Sequence, residues 1–137
     1  MASDKVEFEL VSPERLLLSE QVDMVVVPGA EGDFGVLPRH APLISTLRPG
    51  VIRVFEGREV KNRIFVAGGF AEVTPERCTV LAEEAVPLKD IDVATIDQQL
   101  KDLGEDLADA KTDEEKAAIA KRIAVRQAMR AAATAGA

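Results

Sequence analysis

Positions 5–11 alternate between apolar Val6, Phe8 and Leu10 and acidic Glu7 and Glu9, the period of a strand with one buried face. Pro13-Glu14 then turns the chain, and the pattern predicts strands over 15–19 and 21–27. Short strands follow around 34–37 and 43–47. Residues 51–55 and 61–67 predict a hairpin turned near Glu56-Gly57-Arg58. Gly68-Gly69 predicts a tight turn into 70–74, and Pro75-Glu76 another into 77–83. About eight short strands punctuated by Gly and Pro predict an antiparallel β-sandwich.

Some of these strands carry more apolar residues than a half-solvated sheet needs. Met24-Val25-Val26-Val27 and Ile64-Phe65-Val66-Ala67 are apolar at both parities, and Thr79-Val80-Leu81-Ala82 is so in part. An antiparallel strand with a wet outer face should be polar at alternate positions. Either part of the outer face is covered, by another subunit or the chain's own tail, or these are ordinary surface Val and Ala.

Beyond residue 88 the period changes to that of helices. Ile96, Leu100, Leu103, Leu107 and Ala110 form one helical seam, and Asp90 or Asp92 can cap its start. Thr112-Asp113-Glu114-Glu115 is a capping box, with three acids at the positive dipole end. It predicts a second helix from 113 to about 132 with Lys121, Arg122, Arg126 and Arg130 towards its negative end. Its expected apolar face is Ala117, Ala120, Ile123, Ala124 and Met129, which buries little area per turn. The expected fold is therefore α+β, an N-terminal β-sandwich over 1–87 followed by a helical hairpin over 88–137.

Composition supports that boundary and narrows the function. All five Phe and all seven Pro lie at or before Pro87. A net charge of −7 argues against nucleic acid, which needs clustered Lys and Arg. The apolar runs are too short to insert in a membrane, and the opening MASDKVEFEL has no export-signal core. The single cysteine, Cys78, cannot form an internal disulfide, which fits a reducing cytoplasm.

Residues 27–50 concentrate the turn chemistry, with four of the seven prolines, four of the nine glycines and the only histidine. So elaborate a loop is functional or a defined Ω-like structure. GAEGDFG at 29–35 is no phosphate cradle, because it lacks the Lys-Ser/Thr pair and its two carboxylates repel phosphate. Nor do those acids match a calcium loop. His40 stands alone, with too few partners for zinc or for a catalytic triad, and is expected to fix a turn. Cys78 is expected to be a small core residue. No active site assembles.

EGDFGVLPRHAPL at 31–43, FVAGGFAEV at 65–73 and TVLAEEA at 79–85 resemble the epsilon subunit of the bacterial F-type, proton-translocating ATP synthase. The resemblance implies a non-catalytic rotor subunit at the base of the central stalk, without cofactor or metal. One sandwich face would bind the gamma subunit and the lower end the polar loops of the c-ring. It places 29–42 against the ring, with Glu31, Asp33 and His40 as contact residues. The hairpin would fold on the sandwich or extend along gamma towards the alpha/beta head and block ATP hydrolysis. The location implied is peripheral, on the cytoplasmic face of the bacterial inner membrane. Some relatives bind ATP through an Ile/Leu-Asp-x-x-Arg-Ala motif. Here Ile91 and Asp92 match, but Thr95 and Ile96 replace the Arg and Ala, so no nucleotide site is expected. The alternative, from the residues alone, is a free-standing sandwich that binds a small ligand beside 29–35.

Overall fold

Gly68 and Gly69 do not turn the chain. In the computed structural model, which describes residues 4–135, they lie inside one long strand. The strands are β1 (Val6–Val11), β2 (Leu16–Val22), β3 (Met24–Gly29), β4 (Gly32–Val36), β5 (Leu43–Thr46), β6 (Gly50–Glu56), β7 (Glu59–Val73) and β8 (Arg77–Pro87). A turn of 3-10 helix (Leu88–Asp90) leads to α1 (Val93–Asp109) and α2 (Asp113–Ala135). The extreme ends of the two expected domains, 1–3 and 136–137, lie outside the described residues.

The glycine pair bends β7 without breaking it. Both residues take positive φ, 73° and 96°, and a Cβ on Gly69 would sit 1.8 Å from the Leu81 carbonyl oxygen. Only glycine fits there. Before the bend, Ile64 and Val66 face the core; after it, Ala71 and Val73 do, so the inward parity switches. One edge of β7 pairs with β8 from Ile64 to Val73, through the bend. The other edge is shared: β6 takes its first half and β5 its second. A strand that serves two partners through a bend is how a continuous sheet turns a corner into a second layer.

The strand order is β2-β1-β8-β7-β6-β3-β4, with β5 also on β7. The sandwich is not wholly antiparallel, because β1 and β8 run parallel. That is possible because the connection between them is most of the domain rather than a tight turn. Arg77 at the start of β8 ties this pair by ion pairs to Glu7 (3.1 Å) and Glu9 (3.4 Å).

One apolar cluster fills the interior, with Phe8, Leu10, Val25, Ile52 and Val80 among its buried members. The alternation expected for β1 is realised, with Glu7 and Glu9 only half-buried on the opposite face. Phe65 and Ala67 are buried outside that cluster, so β7 is buried at both parities there. Met24 and Val26 in β3 are only half-buried.

The chain divides into two compact units after Pro87. In the second, Asp92 caps α1, its carboxylate accepting from the Ala94 amide (3.1 Å) and the Thr95 hydroxyl (3.0 Å). Ile96 and Leu103 are buried, while Leu100, Leu107 and Ala110 are half-buried. At α2 the Thr112 hydroxyl accepts from the Glu115 amide (3.1 Å), and Glu115 accepts from the Lys111 amide (3.2 Å). The expected apolar face of α2 needs correction. Ala117, Ala120 and Ala124 are exposed, whereas Ile119, Ile123 and Arg126 are half-buried and Met129 is buried. Ala120 and Ala124 each follow Ile119 and Ile123 by one residue, about 100° round the helix, which turns them off the buried stripe. Arg130 on α2 holds Asp97 on α1 through Nε (2.5 Å) and Nη2 (3.4 Å), which ties the two helices together.

Candidate subunit-contact surfaces

The stretch dense in turn residues is mostly a β-hairpin. Pro28 and Gly29 close β3 and are buried, and Gly29 pairs with Gly32 across the Ala30-Glu31 turn. A Cβ on Gly29 would come within 2.9 Å of the Phe34 ring and 2.8 Å of the Gly32 carbonyl oxygen, so the tip closes tightly because glycine is there. Glu31 is exposed at the tip.

Asp33 is not on a free loop. It lies in β4 opposite Pro28, and two arginines hold its carboxylate. Arg48 Nη2 donates to Oδ1 at 2.5 Å, and Arg53 Nη2 stands 3.6 Å from Oδ2. Arg48 Nη1 also donates to the Gly29 carbonyl (2.7 Å). Its backbone follows the same edge, with the Arg48 amide bonded to Pro28 O (3.0 Å) and Ala30 N to Thr46 O (2.9 Å). Neither arginine was expected from the sequence. The available signal was Arg48 itself, an isolated cation directly before Pro49-Gly50.

His40 belongs to a separate turn. Its Nδ1 lies 2.6 Å from the Ala41 carbonyl, so that nitrogen carries the proton, and its amide donates to Leu37 O (3.2 Å). The preceding Arg39 takes a left-handed φ of 66°, and its amide donates to Pro75 O (2.8 Å). Among the described residues no hydrogen bond or ion pair joins His40 to Glu31 or Asp33. Three residues expected together are thus a free tip carboxylate, a clamped strand carboxylate and a turn histidine.

A second surface went unnoticed in the sequence. Phe70 pairs with Leu81, Leu81 with Val11, and Val11 with Leu16, in one line across β7, β8, β1 and β2. Paired residues share a sheet face. Phe70 is 41% exposed, Leu81 36% and Leu16 54%. The neighbouring line along the same strands is Glu72, Thr79, Glu9 and Ser19, which is polar. At the β5 end, Ile44 is 69% exposed. An apolar line beside a polar one is the composition of an interface rather than of ordinary wet sheet.

The 91–96 stretch offers phosphate little. Both Asp92 oxygens are used in capping, Ile96 is buried, and Arg130, which reaches this stretch, is held by Asp97. Cys78 is buried, and burial pushes its thiol up to about 12. Among the described residues no cluster of His, Cys, Asp or Glu is suited to a metal ion. No described helix is long and apolar enough to cross a membrane.

Comparison with known proteins is consistent over nearly the full length. Residues 5–88 match the family model of the β-sandwich domain of the ATP synthase delta/epsilon chain, and 92–137 match that of the C-terminal domain of the epsilon chain. An ATP synthase epsilon chain of Rhodospirillum rubrum is 55% identical over 130 residues, 95% of this chain and 97% of its own. One from Rhodospirillum centenum is 57% identical over 131 residues, covering 92% and 90%. The fold matches a chain of the Euglena gracilis mitochondrial ATP synthase with a TM-score of 0.80 at 23% identity, covering 95% of this chain and 82% of that one. It also matches a chain in the central stalk and c-ring structure of the Tetrahymena thermophila enzyme (TM-score 0.71, 19% identity, 97% and 99% covered).

Proposed function

The chain belongs to the ATP synthase epsilon family, and from that premise we infer that its work is mechanical, joining gamma to the c-ring in the rotor. It is a non-catalytic subunit of the central stalk, not the free-standing ligand binder that the residues alone left open. The observation that carries the docking assignment is the apolar line Phe70–Leu81–Val11–Leu16, in which Phe70, Leu81 and Leu16 are exposed and Val11 is half-buried. An apolar strip with a polar flank suits a long helix laid across a sheet, and gamma is the partner proposed for it. The β3–β4 tip, with exposed Glu31, is the proposed contact with the polar loops of the ring.

The complex is membrane-associated and this subunit peripheral to it; we place it on the cytoplasmic face of the bacterial inner membrane. The helical unit, with Arg122 and Lys121 exposed on α2, is the part proposed to reach the alpha/beta head and restrain ATP hydrolysis. Reconstitution tests the assignment. Added to a complex depleted of its own epsilon subunit, the chain should restore proton pumping driven by ATP hydrolysis. No restoration, with the chain folded and in excess, would refute the rotor role.

A further inference from the structure

We propose that Arg48 is the positioning residue of the β3–β4 hairpin, holding its tip in the pose that presents Glu31 to a partner. The proposal rests on the tip contact assigned above.

A guanidinium is a planar fork, and here its two ends hold the two strands of one hairpin. Nη1 takes the Gly29 carbonyl on β3 (2.7 Å) and Nη2 the Asp33 carboxylate on β4 (2.5 Å). These residues flank the tip directly, since Gly29 pairs with Gly32 and Pro28 with Asp33. The Arg48 backbone is itself pinned to Pro28 O (3.0 Å), so the fork starts from a fixed base. Arg53, on the central strand β6, approaches the other oxygen of Asp33.

The consequence is a division of labour between two acids that sequence alone could not separate. Asp33 is neutralised within the chain by two cations. Among the described residues Glu31 has no hydrogen bond or ion pair, so its charge is left for a partner. Lysine could replace Arg48 only in part, because a single ammonium lacks the fixed fork that spans both acceptors.

The test uses the complete reconstituted complex and reads proton pumping per ATP hydrolysed, with the subunit's melting temperature measured in parallel. Arg48→Ala should lower pumping at least threefold while the melting temperature changes little, and Arg48→Lys should recover part of the loss. Asp33→Ala removes the β4 end of the same tie and takes the place of Arg48→Ala if that variant does not fold. Glu31→Ala reports separately on the tip contact. Reduced pumping with Glu31→Ala but wild-type pumping with the clamp variant would overturn the proposal and leave the contact standing. Wild-type pumping with both would overturn the tip contact and the proposal together. Complete recovery with Arg48→Lys would also overturn it, because charge alone would then suffice.

Discussion

Phe70 and Leu81 stand directly opposite each other on β7 and β8, with more than a third of each side chain in solvent. A chain of this size gains nothing in its own core from leaving a phenyl ring there. Truncation of a central aromatic anchor typically costs an interface ~2 kcal/mol or more, about thirtyfold in affinity. Phe70→Ala should therefore weaken gamma binding by that amount, measured by titration calorimetry, while melting changes little. Binding as tight as wild type would move the gamma site off this face.

Domain independence follows from where the core residues lie. Every member of the main apolar cluster precedes residue 88, and β8 runs to Pro87, which pairs with Ile64. The chain truncated after Lys89 should melt cooperatively within about 10 °C of the full chain, a loss of ~1–2 kcal/mol. It should also keep gamma affinity. A broad melt would show that the sandwich needs the helices to fold.

The strands and helices were largely legible because alternation and helical seams are local signals. Val6, Phe8 and Leu10 announce an inward face before any partner is known. Gly68-Gly69 misled because a glycine pair signals positive φ equally in a turn and in a bent strand. Only the pairing of β7 with β6, β5 and β8 decides between them. The line of Phe70, Leu81, Val11 and Leu16 was hidden for the same reason, being spread over four strands. Asp33 read as a free loop acid because its partners lie 15 and 20 residues further on, at Arg48 and Arg53. Conversely, the turn role of His40 could be read from its immediate neighbours, where its hydrogen bonds are found.

Cys78 gives a pH prediction with a definite sign. Burial raises its folded pKa from 9.0 to about 12, so the folded state keeps the proton longer than the unfolded one. Its contribution is fully present below pH 9.0 and is lost as pH rises towards 12. The loss is at most ~1.4 kcal/mol per pH unit, and Cys78→Ala should flatten it in alkaline denaturation curves. A thiol reagent at pH 8 should label the native chain only at the rate at which it opens. Rapid labelling without denaturant would place the thiol in solvent.

The last prediction concerns nucleotide. Burying phosphates without a cation leaves their charge unpaired, which is costly. Thr95 occupies the position where the family motif has Arg, and its hydroxyl is spent on Asp92. Arg130 cannot serve unless it leaves Asp97. Mg-ATP should therefore bind the isolated chain only in the millimolar range, a binding energy of about 4 kcal/mol. Calorimetric titration reads this directly, and a micromolar dissociation constant would refute it. Thr95→Arg should then tighten binding at least tenfold. The motif's Ala is a poorer choice for a test, because Ile96 is buried and truncating it would cost the helical unit ~2–4 kcal/mol. If Thr95→Arg leaves affinity unchanged, the missing cation is not what closes this site to ATP.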